Sequence, residues 1–153
     1  MHVVVEYTGE VKTPFREDFF QKIALRTLEE CRFSFLEGKE ISLNVVALSP
    51  EKIQALNAKY RGKDGVTDVL SFGEYGDRES LERGEEEEIF LGEIFVCPAF
   101  IETAAKEDEV TFEREMAYIF SHGVLHLVGY DHEEEMFAIQ EAVTDVFTGE
   151  KRV

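Results

Sequence analysis

The chain has 153 residues, of which 44% are hydrophobic and 12% aromatic, and this suits one folded domain with a single core over residues 1–153. Its formal net charge of -17 disfavours direct binding to a nucleic-acid backbone, which depends largely on Lys and Arg contacts. A basic region followed by an apolar run is missing at the start, and about 18 consecutive apolar residues occur nowhere, so the sequence excludes a membrane-spanning class and favours a cytoplasmic protein.

The first part of the chain alternates strands and helices. Residues 3–7 are rich in β-branched side chains and predict a strand, and a helix follows that Thr13 can cap, with a proline in its first turn. Residues 41–48 predict a second strand. The pair Ser49 and Pro50 then begins a second helix, because serine caps helix N-termini and proline is tolerated in the first turn.

The middle of the chain predicts two more strands, at residues 68–72 and 89–97. The segment between them, residues 73–88, is rich in Gly, Glu and Arg and poor in apolar residues. We interpret it as a long exposed connection.

Three helices are predicted in the last third, over residues 100–107, 111–128 and 133–148. Strands that come early and helices that gather late indicate an α+β fold. We therefore expect a mixed four-stranded sheet packed with about five helices.

Three of the four histidines lie close together in the run from Ser121 to His132. His122 and His126 are four residues apart, so on a helix their rings share one face. Gly129 can end that helix, and the chain can then return His132 toward the other two rings. Three imidazoles that leave one coordination position open are typical of a catalytic zinc site. The pattern predicts a zincin-like centre, on a helix and the following turn, that holds one Zn²⁺ per chain.

Other interpretations of this cluster stay open at this point. Isolated histidines are more often hydrogen-bonded surface or core residues than ligands. A closed structural zinc site would need a fourth protein ligand. Neither Cys31 nor Cys97 belongs to a Cys-x-x-Cys pair that would supply one, and both fit free thiols in a reducing compartment.

The spacing of the histidines is also that of the metzincin proteases, which carry a glutamate as general base directly after the first histidine. Gly123 occupies that place here. A peptidase on this helix would therefore lack its base, whereas a hydrolase that acts on another ester stays possible.

The run HGVLHLVGYDH resembles the signature of the YbeY endoribonucleases, and the similarity covers roughly residues 40–148. Further blocks match upstream in the same order: Leu56-Asn57, Tyr60-Arg61, Thr67-Asp68-Val69-Leu70-Ser71-Phe72 and Leu91-Gly92-Glu93-Ile94.

The resemblance implies a zinc-dependent endoribonuclease that prefers single-stranded RNA and acts in ribosomal RNA maturation, at the 3′ end of the small-subunit RNA, and in ribosome quality control. It implies that His122, His126 and His132 are the zinc ligands and that Arg61 is catalytic. It also implies ribosomal RNA, and the ribosome or its proteins, as partners, with no role for DNA.

A small basic island interrupts the acidic sequence around this arginine. Lys59, Arg61 and Lys63 alternate without an intervening carboxylate, so the two lysines are candidates for substrate binding. Cations at a helix end also complement the helix dipole, and this alternative explains the lysines equally well. Arg61 could hold a phosphate oxygen while a metal-activated water attacks, or it could serve only in docking.

Two further functional interpretations remain. One is a non-catalytic, zinc-stabilised module that binds basic partners on the ribosome through its acidic surface. The other is a metal-dependent hydrolase of a different substrate. Glu115, on the helix that carries the histidines, is interpreted either as a hydrogen-bond partner to a ligand histidine or as an exposed helix residue.

Overall fold

The computed structural model describes residues 1–148, and a four-stranded sheet lies at its centre. The last five residues of the predicted domain lie outside the described part of the chain. The strands are β1 (His2–Gly9), β2 (Glu40–Ala47), β3 (Val69–Gly73) and β4 (Glu88–Val96), in the spatial order β1-β2-β4-β3. β1 and β4 each pair with β2 in parallel, and β3 pairs with β4 antiparallel. The predicted mixed four-stranded sheet is confirmed.

Residues 1–148 contain six α-helices and one short 3-10 turn, Ser34–Leu36. The helices are α1 (Glu17–Cys31), α2 (Pro50–Arg61), α3 (Arg78–Glu82), α4 (Pro98–Glu107), α5 (Phe112–Leu127) and α6 (Glu134–Thr148). The five predicted helices are present and α3 is additional, so the α+β class is confirmed.

One face of the sheet carries the main core. Side chains alternate along β1 and β2, so that Val3 and Val5 are buried on this face while Val4 is exposed on the other. Helices α1, α5 and α6 contribute the opposing buried residues, among them Phe20, Phe120 and many aliphatic side chains. The opposite face carries a smaller cluster beneath α2: Leu48, Ile53, Leu70 and Cys97.

The start of α1 differs from the prediction. The helix begins at Glu17 with Arg16 at its N-cap, and Thr13 is not the cap. The Thr13 hydroxyl instead accepts a hydrogen bond from the Phe15 backbone N–H at 2.9 Å. A threonine that bonds two residues ahead closes a local turn, and this turn allows Phe15 to pack against Phe19 before the helix starts.

The connection between β3 and β4 also differs from the prediction, because it is not wholly exposed. It contains α3, whose Leu81 is 1% exposed in the main core. The Arg78 guanidinium lies over the rings of Phe33 and Tyr130, at 4.8 and 4.2 Å from the two centroids. A single buried leucine in a polar run has no periodicity, so the pattern could not reveal this packing.

Helix α5 is the central helix, and it packs against β3 and β4. Its N-cap is Thr111, whose hydroxyl accepts from the Arg114 N–H at 3.1 Å. A Cβ at Gly123 would lie only 3.0 Å from Ile94 Cγ2 and 3.1 Å from Ser71 Oγ. Glycine therefore permits this close approach of helix and sheet.

None of the helices within residues 1–148 combines the length and the apolar composition that crossing a membrane requires.

Candidate metal centre

The three histidines of the predicted site come together at the end of α5. The helix places His122 and His126 one turn apart, with ring centroids separated by 4.4 Å. Gly129, at φ +92°, reverses the chain beyond the helix, and His132 follows with its ring centroid 5.0 Å from that of His126. One nitrogen from each of the three rings lies within 4.8 Å of the others, which is close enough for one metal ion.

The rings of the two helical histidines are held in one orientation by protein acceptors. Nδ1 of His122 donates to the side-chain oxygen of Gln140 at 3.2 Å, and Nδ1 of His126 donates to the backbone carbonyl of Tyr130 at 2.9 Å. In a neutral imidazole with its proton on Nδ1, Nε2 carries the lone pair. The two Nε2 atoms face each other at 2.8 Å.

The chemistry of this donor set fits a metal ion. Burial lowers the pKa of His122 and of His126, mainly by desolvation of the charged form, so both rings are neutral near pH 7. Neutral imidazole is the form that binds a metal. Two facing lone pairs repel each other unless a cation or a proton lies between them. His132 is exposed at the rim, which leaves the site open to solvent on that side.

A cleft of about 570 Å³ joins this cluster to the opposite wall of the molecule. We call the His122, His126 and His132 side the metal wall. We call the other side, formed by the end of α2, the loop after it and β3, the arginine wall. The arginine-wall residues that line the cleft are Asn57, Arg61, Lys63, Thr67, Asp68, Val69, Leu70 and Ser71.

Arg61 is exposed and is fixed by two contacts on the arginine wall. Its Nη2 donates to the backbone carbonyl of Ser71 at 2.8 Å, and its guanidinium carbon lies 4.5 Å from the centroid of the Phe72 ring. The stacked plane and the single hydrogen bond orient the guanidinium at the cleft. The rest of its N–H groups have no hydrogen-bond partner within residues 1–148, so a ligand can use them.

Comparisons with known proteins place the chain in a family. The sequence pattern of the family described as Endoribonuclease YbeY matches residues 6–147. The chain belongs to the YbeY endoribonuclease family. The chain is 39% identical over 119 residues to the Endoribonuclease YbeY of Thermotoga maritima, which covers 74% of this chain and 72% of that protein.

Other relatives cover more of the chain. The Endoribonuclease YbeY of Heliobacterium modesticaldum is 37% identical, over 94% of this chain and 92% of that protein. The Endoribonuclease YbeY of Staphylococcus carnosus is 34% identical, over 92% of this chain and 91% of that protein. The solution structure of a Thermotoga maritima protein superposes with a TM-score of 0.64 at 31% identity and covers 95% of this chain and 90% of that one.

The structure separates the two lysines of the basic island in this YbeY-family chain. Lys63 lines the cleft with Arg61. Lys59 does not line it: its Nζ lies 5.0 Å from the Tyr60 ring centroid, and it borders another depression together with Leu56 and Phe95. Lys59 lies on α2, whereas Lys63 follows the left-handed Gly62 that ends this helix, so the chain changes direction between the two lysines.

Gln140 on α6 is a side chain that bonds a ring of the histidine cluster, through its contact with His122. Glu115 borders a separate depression beside Val110 and Tyr118. Gln140 has no sequence signal for this role, because a glutamine within an amphipathic helix does not reveal a partner on another helix.

Asp68 lines the cleft, and sequence reasoning did not single it out. Its carboxyl is half-buried, and desolvation raises its pKa above the usual aspartate value. The Thr67 hydroxyl lies 3.4 Å from one of its oxygens. A carboxyl of raised pKa in a cleft with metal-ligating residue types is a candidate for proton transfer. The sequence signal that could have identified Asp68 is its position in the block from Thr67 to Phe72, which matches the YbeY family.

The two rims of the cleft differ in charge. The metal wall continues into an exposed acidic turn of Asp131, Glu133, Glu134 and Glu135. The arginine wall presents Arg61 and Lys63. A polyanion in the cleft is therefore attracted to the arginine wall and repelled by the turn that carries His132.

Proposed function

We propose that this chain is a zinc-dependent endoribonuclease that cleaves single-stranded segments of ribosomal RNA during maturation of the small subunit. In this proposal His122, His126 and His132 are the metal ligands and Arg61 is catalytic. Activity on RNA follows from membership of the family. The observation that supports the rest is the single cleft that contains three clustered imidazoles and a partly unpartnered guanidinium.

Zinc is the metal that this donor set favours. Three imidazoles with one side open match the catalytic zinc sites of proteins better than the oxygen-rich sites of Mg²⁺ or Ca²⁺. Zinc in such a site supplies Lewis-acid polarisation of a phosphoryl oxygen and lowers the pKa of water. The neutral state of His122 and His126 keeps the ligands available near pH 7.

Arg61 is proposed to hold the scissile phosphate. Its guanidinium is already oriented by Ser71 and Phe72, so little side-chain entropy is lost when its other N–H groups bind two phosphate oxygens. The same contact stabilises the charge that develops on the phosphoryl group during attack. Lys63 adds a second cation on this wall, and Asp68 is placed to accept or hold a proton there.

The dimensions and charges of the cleft favour a single strand. A volume of about 570 Å³ suits a nucleotide-sized segment. Single strands can present splayed nucleotides to such a site, whereas bases within a helix are stacked and paired. With a net charge of -17 and few cations at the cleft, affinity for naked RNA is modest and falls with salt.

Weak binding of free RNA makes delivery by a partner part of the proposal. A ribosome or a ribosomal protein would hold the substrate near the cleft and raise its effective concentration. A pull-down from cell extract is expected to recover ribosomal particles with the chain. Recovery of the tagged chain without ribosomal particles would contradict this part of the proposal.

The central experiment measures cleavage of a structured RNA with single-stranded tails. The parent chain, His126→Ala and His2→Ala are purified identically. His2 is an exposed histidine on β1 outside the cleft, so its variant controls for loss of a histidine as such. Cleavage by the parent and by His2→Ala, abolished in His126→Ala and by a chelator, is the expected result. Equal cleavage by all three would indicate a contaminating nuclease and contradict the proposed site.

The acidic turn beside His132 supports a second candidate, a non-catalytic module whose zinc stabilises the fold and whose acidic surface binds basic partners. This function predicts no cleavage by any variant, together with loss of both zinc and thermal stability in His126→Ala. A metal-dependent hydrolase of another ester would keep the site and fail on RNA. The cytoplasmic location and the absence of a role for DNA stay predictions.

A further inference from the structure

Gln140 on α6 makes two hydrogen bonds that link both ends of its amide to α5. Its side chain is fully buried, at 0% exposure. Its Oε1 accepts from His122 Nδ1 at 3.2 Å, and its Nε2 donates to the Tyr118 backbone carbonyl at 3.2 Å. We propose that Gln140 is a positioning residue that fixes the tautomer and the ring direction of His122, so that Nε2 faces the metal. This inference rests on the proposed metal site.

The orientation of the amide follows from the backbone carbonyl of Tyr118. A carbonyl can only accept a hydrogen bond, so it selects the NH₂ end of the Gln140 amide. The oxygen end must then face His122, and an oxygen that can only accept requires an N–H on the ring. Nδ1 therefore carries the proton of the neutral ring. The lone pair is left on Nε2, which is the nitrogen that faces His126.

Burial makes this arrangement strict. A buried amide has no water to replace a lost partner, so a flipped Gln140 or a His122 ring with its proton on Nε2 would be penalised by a repulsive contact. The Gln140 backbone is also held: the Thr144 hydroxyl donates to its carbonyl oxygen at 2.6 Å within the buried part of α6.

Two partly buried ion pairs, both made by Arg114, link α5 to α6 beside this contact. Arg114 on α5 is 6% exposed, and its Nη2 lies 3.2 Å from a Glu141 oxygen and 2.9 Å from an Asp145 oxygen on α6. Glu141 is the neighbour of Gln140 in sequence. These ion pairs fix the position of α6 along α5, and with it the position of the Gln140 amide relative to His122.

The two helical histidines differ in what orients them. His126 bonds to the backbone carbonyl of Tyr130, which no side-chain substitution at that position removes. His122 depends on a side chain, so its orientation can be tested by mutation. Partners that orient a ligand histidine commonly contribute about 10- to 100-fold to metal affinity.

The test compares Gln140→Met with Val143→Ala in the full chain. Methionine keeps the length of the side chain and removes both amide contacts. Val143 is a buried apolar residue of the same helix, so Val143→Ala costs stability and leaves every hydrogen bond of Gln140 and His122 in place. Zinc affinity, measured by competition with a chromogenic chelator, is expected to fall about 10- to 100-fold in Gln140→Met. It is expected to stay within about twofold of the parent in Val143→Ala, although both variants lose stability.

A second measurement reads the tautomer directly and does not depend on the variant. In the zinc-loaded, ¹⁵N-labelled parent, NMR is expected to show the His122 ring proton on Nδ1, protected from exchange with water. In Gln140→Met that proton is expected to exchange faster. If Gln140→Met does not fold, the parent spectrum still decides, because a His122 proton on Nε2 or an unprotected Nδ1 proton overturns the inference.

The outcomes separate this inference from the proposed function. A parent that binds zinc tightly, with equal affinity in Gln140→Met, overturns the role of Gln140 alone. A parent that binds no zinc overturns the proposed function and the role of Gln140 with it. A parent that binds zinc but cleaves no RNA leaves the positioning role to be decided by the affinity and tautomer measurements.

Discussion

The two walls of the cleft are constructed differently. On the metal wall, His122 and His126 project from a buried helix, and each ring has its own hydrogen-bond acceptor. On the arginine wall, Arg61 is exposed and is held by one carbonyl and one aromatic ring. The metal wall is fixed by the core, whereas the arginine wall keeps a cation at the surface with donors to spare.

This difference matches the two tasks that we propose. Metal ligands must converge within a few tenths of an ångström, and burial with fixed acceptors achieves this. A phosphate-binding arginine must meet a mobile polymer that arrives from solvent, so it needs access more than rigidity. Substitutions on the metal wall should therefore change metal binding, and those on the arginine wall should change turnover or RNA binding alone.

The largest effect is expected from His132→Asn. His132 has a positive φ of 49°, which asparagine tolerates, and its ring is exposed, so the fold should survive. Loss of a ligand should lower zinc affinity by more than about 100-fold, beyond the effect of losing an orienting partner. RNA cleavage should disappear. Zinc titration and circular dichroism check this, and affinity equal to that of the parent would remove His132 from the site.

Arg61→Lys should have the next largest effect. Lysine keeps the charge but lacks the planar fork that stacks on Phe72 and bonds two oxygens. Turnover at saturating RNA should fall by about 10²- to 10³-fold, as for loss of a donor to developing charge. Zinc affinity should not change. Full turnover by the variant would leave Arg61 with a docking role only.

Gly123→Glu tests whether the position after the first histidine belongs to the cleft or to the core. A Cβ there already meets Ile94 and Ser71 within 3.2 Å, so the longer side chain would place a carboxylate between helix and sheet. The free energy of unfolding should fall by about 3 kcal/mol or more, from overpacking and unpaired charge. Chemical denaturation measures it. A stable variant with peptidase activity would contradict this placement of Gly123.

Smaller effects are expected from the two lysines, which differ in position. Lys63→Gln removes a cation from the cleft and should raise KM for RNA by about two- to fivefold. Lys59→Gln is the matched control, because Lys59 lies outside the cleft, and its KM should stay at the value of the parent. Equal increases in both variants would indicate a general charge effect in place of a specific contact.

The smallest signal is expected from Cys31, a buried thiol on α1 that contacts Tyr130, whose backbone carbonyl orients His126 on the metal wall. Burial raises its pKa to about 12, so the reactive thiolate is scarce at pH 8. Alkylation should be negligible in the folded protein and should increase only as denaturant unfolds it. If protein contacts alone hold the metal wall in place, the alkylation rate of Cys31 should also stay low after zinc is removed. Rapid labelling of the native chain would show that the metal wall opens.

Much of the metal wall could be predicted from local sequence. The four-residue spacing of His122 and His126 and the helix-ending Gly129 depend only on helical geometry and backbone freedom, and the structure confirms both. The position of Arg61 in the same cleft could not be derived in this way. It was expected from the family resemblance, because spacing does not reveal which distant segments a sheet brings together.

The features that were missed depend on contacts between elements. Thr13 has the residue type of a helix cap, yet its hydroxyl closes a turn that lets Phe15 pack. Arg78 lies in a polar, glycine-rich segment, yet it stacks on Tyr130. Local propensity cannot predict these outcomes, since packing energy gained far along the chain decides between local conformations of similar energy.

The sequence by itself therefore determined the α+β class, the helix that carries two histidines and the turn that returns the third, because these follow from periodicity and from residues with restricted or unusual backbone freedom. Only the tertiary structure decided that Gln140 orients His122, that Lys63 and not Lys59 lines the cleft, and that Gly123 belongs to the core. The physical reason is that these facts depend on which surfaces meet when α2, α5, α6 and the sheet pack together.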